Sequence, residues 1–494
     1  MVKRYVFFSF AIISLLCNSA LYAQEPLTFS LDEAVLQAVE YNLGLKVERY
    51  NPLITAQSIL KEEGVFDPAL NFELSQAYQK GTSPTTVDSE EQRATSMSTS
   101  LTGKVPTGTR YKLAWDYQKV KGDSIYLIFN PYYLTNLSLT INQPILKGLG
   151  TTNQMTPMRV ARKNFEISGF DFMRKTEELV NTTIKSFYDV LLAQEGFEIA
   201  KFSLSLGEKI LHEVQSKFKA GYTVEVDLYN AEAEVAKRQE ILLSAETALK
   251  DALDIFKKIL GFEDLNQEIT LMKSAAHPSE PPGIDESLQD AQFFRVDLQQ
   301  ALTELEKKKM LTKYYKNQRL PDLELFAGAG PSGLAGSQSG AFDRLDNRSD
   351  YTWKIGFFFQ MPLFLKEARS NYTKAKYEEE QAEVLMNELT QRITVEVRQT
   401  WRSVYLSMKK IEASKKTRMY SEKRFRAEER RYQEGYATLN DVLKFQEEFV
   451  KSLFNEKKSE HDYYIAYALY GKTKGTLLMQ YGISDAELGI TDGG

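Results

Sequence analysis

The chain has 494 residues, enough for two or three ordinary domains, and an ordinary hydrophobic share of 43%. Its 62 basic and 67 acidic residues are interspersed and leave a formal charge of −5. That balance offers no basic face for nucleic acid, and runs such as Lys423 to Arg431 read as solvated helix faces.

At the start, Lys3 and Arg4 precede an apolar run from Val6 to Leu16, followed by the small residues Ser19, Ala20 and Ala23. This is the order of a secretory signal, too short to span a bilayer. Residues 1–23 are therefore read as a signal peptide cleaved after Ala23, with Ala20 as the alternative. The only cysteine, Cys17, lies within it. Leu16 before it is larger than lipoprotein processing normally accepts, although lipidation at Cys17 stays open. Cleavage after Ala23 leaves a mature chain without thiol or disulfide. No later stretch approaches the roughly 20 apolar residues of a membrane helix. An exported chain of this kind is either soluble or spans an outer membrane as a closed barrel.

Residues 31–63 read as helix, with Leu31, Ala34, Val35, Ala38 and Val39 on one face. Ser30 and Glu33 have the spacing of a capping box. From 67 to 144 the period changes to two. Phe72, Leu74 and Tyr78 alternate with polar residues, as do Tyr111, Leu113, Trp115 and Tyr117, and then Leu137, Leu139 and Ile141. These are strands with one aromatic-rich apolar face. The turn Val105-Pro106-Thr107-Gly108-Thr109 separates two further strand-like runs, 95–104 and 110–118, which either enter the wall or form an external hairpin.

A helical stretch follows from 153 to 260, interrupted near Gly221. Phe197, Ala200, Leu204, Gly207, Leu211, Val214 and Phe218 keep the three-four spacing of a coiled-coil seam. A helix from 153 to 220 is on the order of 100 Å long, more than a compact domain needs. Residues 277–283, with Pro278, Pro281 and Pro282, form a connector. The same texture then returns: a helix over 286–317, a strand from Asp322, a glycine- and serine-rich loop over 328–340, and a strand over 351–361. Helices over 366–433 and 440–470 follow.

The two halves read as copies. Phe218-Lys219-Ala220-Gly221-Tyr222 with Asp227-Leu228 matches Tyr432-Gln433-Glu434-Gly435-Tyr436 with Asp441-Val442. At the same offset Phe187 meets Trp401, and Gln143-Pro144-Ile145 is set against Met361-Pro362-Leu363. This gives repeats over 24–276 and 284–475, joined by the connector and followed by a tail over 476–494. His212, His277 and His461 lack metal spacing, and no phosphate loop, nucleophile elbow or HExxH pattern occurs. An enzyme, a cofactor and a metal site are not expected.

Aromatic two-sided strands suit a membrane barrel, and one chain supplies too few to close even a barrel of about 8. Several copies must share one wall. On Ser30-Leu31-Asp32-Glu33-Ala34 with Asn42, Pro68 and Pro321 before strands, Pro144 and Pro362 at strand ends, and the paired turns with Asp227 and Asp441, the chain resembles the TolC-like outer-membrane efflux proteins over its mature length. The resemblance implies a mainly α fold with a β-barrel portion: coiled-coil hairpins in a periplasmic α-barrel beneath a shared trimeric barrel. It implies a homotrimer in outer-membrane lipid, a periplasmic adaptor and an inner-membrane pump or secretion transporter. The function implied is a passive gated conduit for small molecules; the exit duct of a type I protein secretion system is the alternative. A secreted coiled-coil structural or adhesive protein without a pore is the alternative of another class.

Within that resemblance, Gly221 and Tyr222, and Gly435 and Tyr436, are tip turns facing the adaptor. Asp441 projects into the closed entrance as part of a carboxylate ring, and Asp227, Tyr432 and Lys444 belong to the same entrance. Against the family pattern, Lys444 replaces a second acid and Ala437 the latch arginine, while the tyrosine partner is kept as Tyr432. Lys444 either neutralises the ring or pairs between subunits. The residue-level alternative for Asp441 is a solvated carboxylate favoured by the helix macrodipole.

Overall fold

The computed structural model describes residues 27–82, 87–273 and 280–483. The signal segment with Cys17, and His277 and Pro278 of the connector, lie outside these. The chain opens with β1 (Leu27–Phe29), α1 (Leu31–Tyr41), α2 (Leu43–Glu48) and α3 (Tyr50–Glu63), then β2 (Ala69–Lys80), β3 (Glu91–Lys104), β4 (Arg110–Gly122) and β5 (Tyr132–Pro144). Next come α4 (Thr151–Gln154), α5 (Thr156–Lys219), α6 (Glu225–Leu260), β6 (Ile269–Leu271), α7 (Ile284–Phe294) and α8 (Val296–Asn317). The remainder is β7 (Asp322–Ala335), α9 (Gln338–Asp346), β8 (Asp350–Gln360), α10 (Lys366–Gln433), α11 (Leu439–Thr473) and α12 (Leu477–Gln480).

The Ser30–Glu33 capping box is formed: Glu33 N–H donates to Ser30 Oγ, and Ser30 N–H to Glu33 Oε2 at 2.8 Å. It starts a helix whose Ala34, Val35 and Ala38 are fully buried. The expected single helix over 31–63 is in fact three. Asn42 leaves helical geometry, its Oδ1 accepts from Leu45 N–H to start α2, and its Nδ2 donates to Ile259 O of α6 at 2.8 Å. The helix expected over 286–317 is likewise broken at Arg295, whose backbone turns extended while its guanidinium forks onto Asp297 and reaches Glu396. In both places a tertiary hydrogen bond overrides helix propensity.

Six strands form one antiparallel sheet in the order β2-β3-β4-β5-β7-β8. The two runs whose place was open in the sequence, β3 and β4, thus pair within this sheet. Strand parity is kept across all six. Leu70 faces Leu101, Leu101 faces Leu113, Leu113 faces Leu139, Leu139 faces Ala329 and Ala329 faces Trp353. One face therefore gathers Leu70, Phe72, Trp353, Ile355, Phe357 and Phe359, all exposed in the single chain. The other carries residues such as Asn71, Glu73, Ser98, Asp116, Asn136 and Lys354. Strands of 11 to 14 residues meet or exceed the roughly 9–11 needed to cross a bilayer at a tilt.

The loop expected over 328–340 is largely strand, since β7 runs to Ala335. Its glycines serve close packing. A Cβ at Gly330 would meet Leu137 O at 1.8 Å, and one at Gly333 would meet Ala341 O at 2.1 Å. The bare Gly333 lets α9 lie on the apolar face, where Phe342 stacks on Tyr117 at 6.2 Å.

Below the sheet, α5 and α10 have 64 and 68 residues, about 95 and 100 Å at 1.5 Å per residue. Each turns back, into α6 and α11 respectively. The main core lies partway down, where Phe187, Ile184 and Val180 of α5 pack on α1, Phe256 and Leu260 of α6, and Leu477. Among the described residues no helix is long and apolar enough to cross a membrane.

Candidate functional site

Both long hairpins reverse through the same capping motif. At the first tip Gly221 has φ +75°, its N–H donates to Phe218 O, and Tyr222 N–H donates to Lys217 O at 2.9 Å. At the second, Gly435 has φ +84°, its N–H donates to Tyr432 O, and Tyr436 N–H donates to Arg431 O at 2.7 Å. These paired bonds satisfy the last helical carbonyls, and the left-handed residue in each is glycine because it has no Cβ to clash. Tyr222 and Tyr436 stand exposed beside them at 84% and 73% of their full area, an apolar display that the turns do not need for stability.

After each turn an aspartate locks the returning helix. Asp441 Oδ2 accepts from Thr438 Oγ1 at 2.6 Å and from Thr438 N–H at 3.2 Å, while Asp441 N–H donates to Thr438 Oγ1. Asp227 Oδ2 accepts from Thr223 Oγ1 at 2.6 Å. The Thr438 hydrogen bonds hold the Asp441 carboxyl below the usual aspartate range, so it is ionised at neutral pH. One of its oxygens is engaged in the cap, which is the local role the macrodipole argument anticipates.

Tyr432 is half-buried, and Lys217 Nζ lies over its ring at 3.8 Å. Burial, with Glu213 and Asp227 nearby, raises this phenol above its ordinary range. Lys444 is exposed, with its Nζ 5.9 Å from the Phe445 ring centre, and it makes no ion pair with Asp441 within the chain. The tips thus bring Tyr432, Lys217 and Glu213 together across α5 and α10. Lys217 was missed because it lies 215 positions from Tyr432 and the family pattern places a cation elsewhere.

Further up, Arg238 of α6 is buried against α5 and α11. Its Nη2 donates to Gln446 Oε1 and its Nη1 to Ser203 O, both at 2.8 Å, and Nε donates to Glu234 Oε1 at 3.1 Å. Gly207 makes the room, since a Cβ there would lie 3.0 Å from Arg238 Cδ. The seam expected from the spacing is present, with Ala200, Gly207 and Val214 buried, whereas Phe218 is exposed next to the tip. Where α5, α8, α10 and α11 meet, Glu177 is buried among Arg174, Arg295, Glu396 and Lys472 around a cleft of 370 Å³. Among the described residues no group of His, Cys, Asp and Glu has the geometry of a metal site.

A sheet with one apolar face, continued by helices of about 100 Å, is the architecture that the comparisons with known proteins also find. Residues 288–468 match the family model described as outer membrane efflux protein. Solved structures agree over nearly the whole chain. The Campylobacter jejuni CmeC outer membrane channel superposes with a TM-score of 0.67 at 17% identity, covering 90% of this chain and 86% of that one. The Vibrio cholerae outer membrane protein VceC gives 0.66 at 13%, covering 90% and 96%. The open state of the Neisseria gonorrhoeae MtrE outer membrane channel gives 0.61 at 16%, covering 90% and 89%. No curated protein sequence matches significantly. Over residues 288–468 the chain is similar to the outer membrane efflux proteins, and its whole described length has the fold of these outer-membrane channels.

Proposed function

We propose that three copies of the chain form one conduit, the outermost part of a tripartite efflux system that exports small molecules with a periplasmic adaptor and an inner-membrane pump. The observation that carries this reading is the six-stranded sheet with two open edges. β2 runs away from the helices and β8 runs back toward them, so β8 of one copy beside β2 of the next continues the antiparallel alternation. Parity then continues as well, with Leu70 and Phe72 beside Phe357 and Phe359 on the lipid face. Three sheets of six strands give an eighteen-stranded wall, a size that leaves an aqueous channel. The helices beneath it form the tunnel, and the tips bearing Gly221, Tyr222, Gly435 and Tyr436 meet the adaptor. Energy comes from the pump, and gating is movement of the helical hairpins at the tips. Asp441 contributes its free oxygen to a carboxylate ring at the entrance, with Asp227, Tyr432 and Lys444 around it.

Single-channel recording in a planar bilayer tests this. Stable steps are expected, with cation preference reduced in Asp441→Ala, because three carboxylates in a narrow mouth favour cations. Thr438→Ala is the control: it removes the same cap, worth about 1 kcal/mol, but leaves the carboxylate, and its ion preference is expected to match the wild type. Equal effects of the two variants would reduce Asp441 to a capping residue, and absence of steps from a folded sample would overturn the channel.

A further inference from the structure

We propose that the outward face at the distal ends of β3 and β4 binds phosphorylated lipid headgroups of the outer leaflet through Arg93, Lys119 and Lys121. The proposal rests on the reading that the apolar face of the sheet meets lipid. By parity these three side chains share that face with Met97, Leu101, Leu113 and Trp115. Arg93 is the register partner of Lys121, and Lys119 is two residues along the same strand, opposite Thr95. All three are exposed.

Two like charges directly opposite each other on neighbouring strands destabilise a sheet, and here no acid relieves them. Among the described residues none of the three makes an ion pair within 4 Å, whereas Lys80 and Glu91, at the next position outward on the same face, are paired with each other. Asp123 lies two residues beyond Lys121 and makes no such contact with it. The cations lean on rings instead: Arg93 lies over Tyr78 at 5.3 Å and Lys119 over Tyr133 at 5.7 Å. Toward the helices the same face of β4 and β5 is Tyr117, Trp115, Leu113, Leu137 and Leu139, which belongs in hydrocarbon. The cluster therefore stands where an apolar belt ends, at the level of headgroup phosphates, with tyrosines suited to that boundary. Snorkelling explains a single lysine at such a level. It does not explain an arginine set opposite a lysine without an acid, which a phosphate between them would neutralise. α9 bounds the patch on the β5 side through Phe342 on Tyr117.

The test is native mass spectrometry of the complex in detergent, titrated with bis-phosphorylated lipid A and, separately, with its dephosphorylated form. A triple variant, Arg93→Gln with Lys119→Gln and Lys121→Gln, is expected to bind lipid A at least about tenfold more weakly than wild type, on the basis of about 1 kcal/mol per basic residue at an anionic surface. The dephosphorylated form is expected to bind both proteins alike and weakly. Equal binding of lipid A to both proteins, or equal binding of both lipids to wild type, overturns the site. Quenching of Trp115 and Trp353 by brominated acyl chains, with Trp401 in the helices as the unquenched reference, separates the two levels of the argument. Quenching intact with equal lipid binding removes the headgroup site alone; absent quenching in wild type removes the lipid-facing reading beneath it.

Discussion

Arg238→Ala is expected to destabilise the helical body by about 3 kcal/mol, seen as a lower urea or thermal midpoint of the purified protein. Arg238 is the tie between three helices, reaching Ser203 of α5, Glu234 of its own α6 and Gln446 of α11. Removing it leaves the fully buried Gln446 Oε1 without the guanidinium, and Gln446 Nε2 already has no hydrogen-bond partner among the described residues. A buried polar atom stripped of its partner costs about 1–3 kcal/mol, and the emptied slot over Gly207 adds a cavity cost. Arg238→Met fills the slot but not the hydrogen bonds, so it is expected to recover part of the loss. Gly207→Ala attacks the same contact from α5 by pushing the guanidinium stem. An unchanged midpoint in Arg238→Ala would show that the arginine is held by the helices and does not hold them.

Glu177→Gln is expected to do the opposite, raising thermal stability at pH 8 and leaving it unchanged at pH 4. Burial raises the Glu177 carboxyl from its ordinary 4.5 to about 7, against the pull of Lys472 and Arg295, with Asp297 adding to the rise. In the folded chain it therefore holds a proton that the unfolded chain has released between about pH 4.5 and 7. The stability due to that bound proton is fully present below 4.5 and is lost as pH rises through 7. At about 1.4 kcal/mol per pKa unit the loss at pH 8 is at most about 3 kcal/mol. Glutamine keeps the shape without the charge. Thermal midpoints measured from pH 4 to 8 should rise above wild type only over the alkaline part of that range. A variant less stable than wild type at pH 8 would mean that Arg295 and Lys472 hold Glu177 ionised and that the ion cluster outweighs burial.

Glu195 shows the reverse balance. Burial pushes its carboxyl up, but hydrogen bonds from His461 and Lys273, with Lys457 nearby, bring it down to about 2. Its contribution is present above the ordinary value and is lost as pH falls from about 4.5 toward 2.

The features legible in the sequence were those written in local order. Period-two alternation placed the strands and their outward side chains, because a pleat fixes side-chain direction residue by residue. The Ser30–Glu33 spacing gave the first helix its start, and the glycines at 221 and 435 gave the tips, because a left-handed cap has few alternatives. What failed depended on distant partners. Asn42 breaks a helix to reach Ile259, and Arg295 breaks another to reach Glu396. The glycines of β7 resembled a loop until Leu137 and α9 were seen to press on them. The hairpin tips were half legible. Their turns, and the cap that Thr438 makes with Asp441 three residues on, are written in local order, but Lys217 over Tyr432 is settled by which helices come together.

The most direct test of the account is an electron cryomicroscopy reconstruction of the full chain in lipid nanodiscs, counting copies and strands. The account predicts three copies sharing one closed wall of eighteen strands, with β8 of each beside β2 of the next and continuous helices below. A wall that excludes β3 and β4, or copies that each leave their sheet open, would contradict it.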